Sequence, residues 1–131
     1  MSNPDDWRAE ALDRSEAILQ QIGGSKDEEP LETVMDEWDG ILQAYQTPEL
    51  LPLLDDVYEE AQTNPGYNFA AHLSFRLMEW ADEKLLRLEE RNETASEKAV
   101  SIQTIFRAAF EYLEAMELHF RTVQRELEED S

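Results

Sequence analysis

Cysteine is absent from this 131-residue chain, which excludes disulfides, thiolate nucleophiles and thiolate-bound zinc together. Glycine occurs four times and β-branched residues fifteen times (five Ile, four Val, six Thr), a composition that points away from sheet. No apolar run approaches the ~18 residues needed to span a bilayer. The residues from Met1 to Asp6 carry neither the basic head nor the apolar stretch of a secretory signal. The expectation is a soluble cytoplasmic protein. Gly-rich phosphate loops, nucleophile elbows and EF-hand loops are also missing. Asp36-Glu37-Trp38-Asp39-Gly40 has calcium-like letters, but its spacing is wrong and its apolar period is that of a helix.

The most consequential absence is of positive charge. No lysine or arginine occurs between Lys26 and Arg76, an interval holding twelve acids: Asp27, Glu28, Glu29, Glu32, Asp36, Glu37, Asp39, Glu49, Asp55, Asp56, Glu59 and Glu60. Those twelve exceed half of the net charge of -20. Residues 1–66 hold seventeen acids and three bases, and residues 67–131 hold fourteen and eight. A field this one-sided attracts cations and basic surfaces and repels nucleic acid and anionic membranes. Low lysine with a pI near 4.2 also suits a protein of a high-salt cytoplasm.

What is present is a helical pattern. Hydrophobic residues make up 41% of the chain, with three Trp, four Tyr and five Phe, enough for one packed core. A single domain over 1–131 is expected. Pro4, capped by Asn3 or Ser2, opens a first helix whose inner face is Trp7, Ala11, Ile18 and Ile22. Gly23 and Gly24 end it, and Ser25 to Glu29 form a polar linker. A second helix begins near Pro30 and carries Leu31, Val34, Met35, Trp38, Ile41, Leu42 and Tyr45 at a 3.6-residue period. Thr47-Pro48 reads as a cap and first-turn proline for a third helix bearing Leu50, Leu51, Leu54, Val57, Tyr58 and Ala61, with Pro52 delaying or kinking it. Asn64-Pro65-Gly66 is a break.

The last two helices are the longest, about 68–91 and 95–129. Thr94 to Glu97 fits a capping box. Beyond it Ile102, Phe106, Ala109, Leu113, Met116, Phe120, Val123 and Leu127 alternate steps of 4 and 3, an unbroken heptad seam. The fold class expected is therefore all-α, a bundle of about five helices with a long C-terminal hairpin. A final helix ~50 Å long outruns its neighbours, so a homodimer through the remainder of that seam is expected as well.

Candidate chemistry is confined to carboxylates. Asp55-Asp56-x-x-Glu59 followed by Glu79-x-x-Asp82 resembles the acid-acid-x-x-Glu and Glu-x-x-Asp motifs of the all-α nucleotide pyrophosphohydrolases. The resemblance spans about thirty residues and implies four carboxylates on Mg²⁺ that bridges a nucleotide triphosphate. Helix geometry reads these residues differently. Measured from Leu54, Asp55, Asp56 and Glu59 lie at about 100°, 200° and 140°, and Glu79 and Asp82 lie at about 200° and 140° from Leu77, all away from the apolar stripes. A hairpin turning near Pro65 also sets the two clusters ~12 Å out of register. His72 and His119 lack the Glu-x-x-His spacing of di-iron bundles, and His72 lacks the following Lys-Gly of phosphotransfer bundles. No metal, cofactor or catalytic residue is assigned.

The sequence reading is thus of a non-enzymatic interaction module. Its carboxylate-rich helical face, Asp36, Glu37, Asp39, Asp55, Asp56, Glu59 and Glu60, meets a basic protein partner. The face could imitate nucleic-acid phosphates; direct nucleic-acid binding and membrane binding are not expected.

Overall fold

The structure, a computed structural model, describes residues 4–22, 31–64 and 68–130. Among them are five α-helices and no strand: α1 (Pro4–Ile22), α2 (Leu31–Ala44), α3 (Leu51–Thr63), α4 (Phe69–Glu90) and α5 (Glu97–Glu129). A 3₁₀ turn, Pro48–Leu50, leads into α3. The all-α class and the long C-terminal hairpin are as expected. The caps expected at Ser2 and Asn3, the Gly23-Gly24 stop, the linker, Pro30 and the Pro65-Gly66 break lie outside the described residues.

α4 and α5 form the spine, and α1 packs along both. Cross-chain contacts fix its direction. Ser15 donates to Met78 Sδ (3.1 Å), and Asn68 reaches the Ile22 carbonyl at the other end of α1, so α1 and α4 run antiparallel. Trp7 meets the ring of Phe106 at 5.5 Å and Arg14 pairs with Glu114 at 3.2 Å, so α1 and α5 run parallel. α2 and α3 pack on each other and on α4. The core is continuous from Ile18, Trp38 and Leu54 through Leu73 and Leu77 to Ile102 and Phe106, all buried. Fully burying each such side chain stabilises the fold by about 1.5–3 kcal/mol before chain entropy is charged against it.

The helix ends differ from expectation in two places. Thr47 does not cap the helical turn after it: its hydroxyl and its amide both donate back to the Leu42 carbonyl, at 3.0 and 2.7 Å, closing the end of α2. Gln46, at φ 57°, supplies the left-handed residue that this closure requires. The regular helix is delayed, as expected, to Leu51 after the 3₁₀ turn, and Pro52 does not kink it, because it falls in the first turn, where its missing N–H has no acceptor to lose. The cap of α5 is Ser96, not Thr94. Ser96 Oγ accepts from the Ala99 amide at 3.2 Å, which leaves Thr94 in the connecting turn. α4 ends similarly to α2, with Asn92 at φ 59° and the Glu93 amide donating to Leu88 at 2.8 Å.

The α5 seam is buried only in part. Ile102, Phe106, Ala109 and Leu113 are fully enclosed, Met116, Phe120 and Val123 are half-buried, and Leu127 is 66% exposed. No helix among the described residues is long and apolar enough to cross a membrane.

Candidate functional site

Two helices carry the seven acids. α2 turns Val34, Trp38 and Leu42 inward, and α3 turns Leu54 and Val57 inward. At ~100° per residue the acids between those positions face outward. Asp36 and Glu37 on α2, and Asp55, Asp56, Glu59 and Glu60 on α3, are exposed, while Asp39 is half-buried and accepts from Gln43 Nε2 at 3.1 Å.

Charge pairing is uneven across the molecule. On the spine some carboxylates have arginine partners, Glu83 with Arg87 at 2.6 Å, Glu117 with Arg121 at 2.9 Å, and Glu114 with Arg14 at 3.2 Å, whereas among the described residues Glu79, Glu90 and Glu111 have none. The first two are i,i+4 pairs on one helix, each worth a few tenths of a kcal/mol. Among the described residues, the side chains of Asp36, Glu37, Asp55, Asp56 and Glu59 have no ion pair or hydrogen bond at all. Adjacent like charges on a helix repel, so this surface holds unrelieved negative potential that an approaching cation lowers.

The second carboxylate pair of the pyrophosphohydrolase-like pattern goes elsewhere. Glu79 is exposed on α4. Asp82 faces α1 instead of solvent, where its Oδ1 lies 3.9 Å from Arg8 Nε. This corrects the outward position inferred from angle alone: α1 covers a strip of α4 that a two-helix picture leaves bare. No group of three or more His, Asp or Glu side chains capable of holding a metal ion occurs among the described residues. His72 and His119 lie on different helices, half-buried and exposed.

Arg8 escapes a reading of the sequence. It is 5% exposed, yet it is a charged residue on the inner face of α1, bonded to Glu89 Oε1 at 2.5 Å across to the end of α4. From Trp7 onward the buried positions of α1 are Arg8, Ala11, Ser15, Ile18 and Ile22, spaced 3, 4, 3 and 4, so the heptad period holds the signal beneath two polar letters. Trp7 lies beside that seam and is covered on one side by the Arg107 guanidinium, 5.1 Å from the ring centre.

An open cleft of about 700 Å³ lies between the α2–α3 corner and the first turns of α5, with Tyr45, Val100 and Ile102 as its apolar lining and Glu49, Glu97 and Lys98 among its charged residues. It contains no pairing of nucleophile with base, and it is separate from the seven acids of the α2–α3 face.

No family model matches the chain, and no curated protein or solved structure matches it either.

Proposed function

We propose that the chain is a non-enzymatic binding protein whose α2–α3 carboxylate face docks on a basic protein surface. The supporting observation is that Asp36, Glu37, Asp55, Asp56 and Glu59 are unpaired within a stretch, residues 27–75, that holds no lysine or arginine. Carboxylates already held at helical spacing lose little freedom when arginine forks or lysines approach, and a charge of -20 speeds encounter in low salt. The partner is a cytoplasmic protein with a cationic surface. In the sharpest form of the reading, that surface ordinarily grips nucleic-acid phosphates and the acidic face stands in for them. A second copy of the chain is proposed as a further partner, through distal α5.

The test uses immobilised protein, purified basic proteins that bind nucleic acid, and a variant carrying Asp55→Asn, Asp56→Asn, Glu59→Gln and Glu60→Gln. Retention of a basic protein that is lost in about 0.5 M salt, where the Debye length is only a few ångströms, and also lost with the variant, supports the reading. Retention that survives the four substitutions removes it. A melting temperature that climbs steeply to molar KCl, with no basic protein held, assigns the acidity to salt adaptation instead.

A further inference from the structure

The α5 seam outlasts its intramolecular partners. α5 has 33 residues and α4 has 22, so about 11 residues, ~16 Å of helix, extend past the start of α4. Among the described residues, α1 covers only the first few of them. Trp7 is level with Phe106 and Arg14 with Glu114, which places the end of α1, Ile22, level with about residue 121. Exposure follows this geometry: Leu113 is 0% exposed and Leu127, two heptads on in the same row, is 66% exposed. Met116 and Phe120 still touch the core from one side. The seam nevertheless keeps its phase to the end, with Phe106, Leu113, Phe120 and Leu127 in one row and Ile102, Ala109, Met116 and Val123 in the other.

We infer that distal α5 pairs with distal α5 of a second copy in an antiparallel, two-fold arrangement centred between Phe120 and Val123. The inference rests on the proposal that a second copy is a partner, and adds its orientation and its residues. Antiparallel pairing sets one row against the other. Phe120 then faces the second copy's Val123, and Met116 its Leu127, so each layer joins a larger side chain to a smaller or more pliable one. Parallel pairing would stack Phe120 on its own copy and Val123 on its own, leaving one layer overfilled and the next short.

Charge selects the same orientation. From Met116 to Arg125 the helix holds one acid, Glu117, and two bases, Arg121 and Arg125, a local balance of +1 in a chain of -20. This stretch therefore gives two strongly acidic copies a place to meet. An antiparallel pair holds the acidic ends of the two copies, Glu126 to Asp130, apart and sends the two bundles to opposite ends. A parallel pair would align Glu126, Glu128, Glu129 and Asp130 with their own copies and set the two bundles side by side. Four seam residues per helix bury on the order of 1,000 Å², the low end for a specific interface, so the dimer is a dynamic one with Kd of about 10–100 µM.

Sedimentation equilibrium of the full chain from about 5 to 500 µM, in moderate salt, tests the pairing. A monomer–dimer equilibrium is expected, with Kd raised at least about tenfold by Val123→Lys or Leu127→Lys and the circular-dichroism melt of dilute protein unchanged. A chain that stays monomeric overturns both the second-copy partner and its geometry. A dimer indifferent to these two substitutions overturns the geometry alone. Orientation is read by disulfides, since the chain has no cysteine of its own. A mixture of Met116→Cys and Leu127→Cys proteins is expected to form the mixed disulfide. Leu127→Cys alone is expected to remain uncrosslinked, because an antiparallel pair holds those positions ~17 Å apart along the axis. Ready Leu127→Cys homodimers would mean a parallel pair and overturn the inference.

Discussion

Replacing Arg8 measures what fastens α1 to the spine. Its side chain is 6% exposed, and its guanidinium lies 2.5 Å from Glu89 and 3.9 Å from Asp82, which are 31% and 24% exposed. Removing one member of a fully buried ion pair costs about 3–5 kcal/mol, because the partner is left charged and dry. Here both carboxylates regain part of their hydration from the exposed side, so Arg8→Met, which retains most of the apolar stem, is expected to cost about 1–3 kcal/mol. Arg8→Ala also forfeits the packing of the stem, adding about 1–2 kcal/mol. Urea unfolding followed by tryptophan emission reads the loss, with Trp7 next to the substituted residue and Trp38 and Trp80 elsewhere in the bundle. Combining Arg8→Met with Asp82→Asn and Glu89→Gln should recover most of it, because the stranded charges are then gone. A loss below about 0.5 kcal/mol for Arg8→Met would refute the argument and make the pair a neutral replacement for apolar contact. So would a triple variant no more stable than the single.

Other substitutions probe local features of the fold. Gly40 sits within α2 with nothing within 4 Å of where a Cβ would stand, so Gly40→Ala should raise stability by about 0.5–1 kcal/mol in a urea titration; a loss would mean that a neighbouring side chain crowds the site. Leu113→Ala should cost about 2–5 kcal/mol and Leu127→Ala less than about 0.5 kcal/mol in dilute protein, measured by thermal melts, and equal costs would contradict the graded burial of the seam. Ser96→Ala should lose about 1 kcal/mol and Thr94→Ala almost nothing, by the same melts, with the reverse order restoring the cap to Thr94. Ser74 is buried with no hydrogen bond to its hydroxyl, so Ser74→Ala should be neutral or stabilising by up to about 1 kcal/mol in urea.

Legibility follows the physics of each element. The helices of the spine are readable because apolar spacing at 3 and 4 residues has one regular solution, and the described ends of α4 and α5 fall within two residues of those expected. The caps are less legible. Thr94 and Ser96 are both competent caps, and the choice between them depends on where the turn after Asn92 releases the chain. Thr47 precedes a proline and looks like an opening, but Gln46 in the left-handed region sends its hydroxyl backwards to α2. Arg8 is hidden because charged residues are assigned to the surface by default, and Glu89 and Asp82, some eighty residues away, help make its burial tolerable. Asp82 is misplaced for the converse reason: its angle on α4 is outward from α5, and outward there means toward α1.

The amino-acid sequence alone makes this chain helical, makes its last helix the longest, and leaves residues 27–75 without lysine or arginine, since composition and period are local properties. It determined also that the α2 and α3 acids lie off their apolar stripes. Helix packing settled which carboxylates meet a base. α1 lies antiparallel to α4 and parallel to α5, bringing Arg8 and Arg14 to the acids of the spine, while among the described residues Asp36, Glu37, Asp55, Asp56 and Glu59 have no base beside them. It decided too how far along α5 the intramolecular cover reaches, because that depends on where α1 and α4 end in space. Pairing and covering join residues far apart in the chain, and no period within a single helix encodes them.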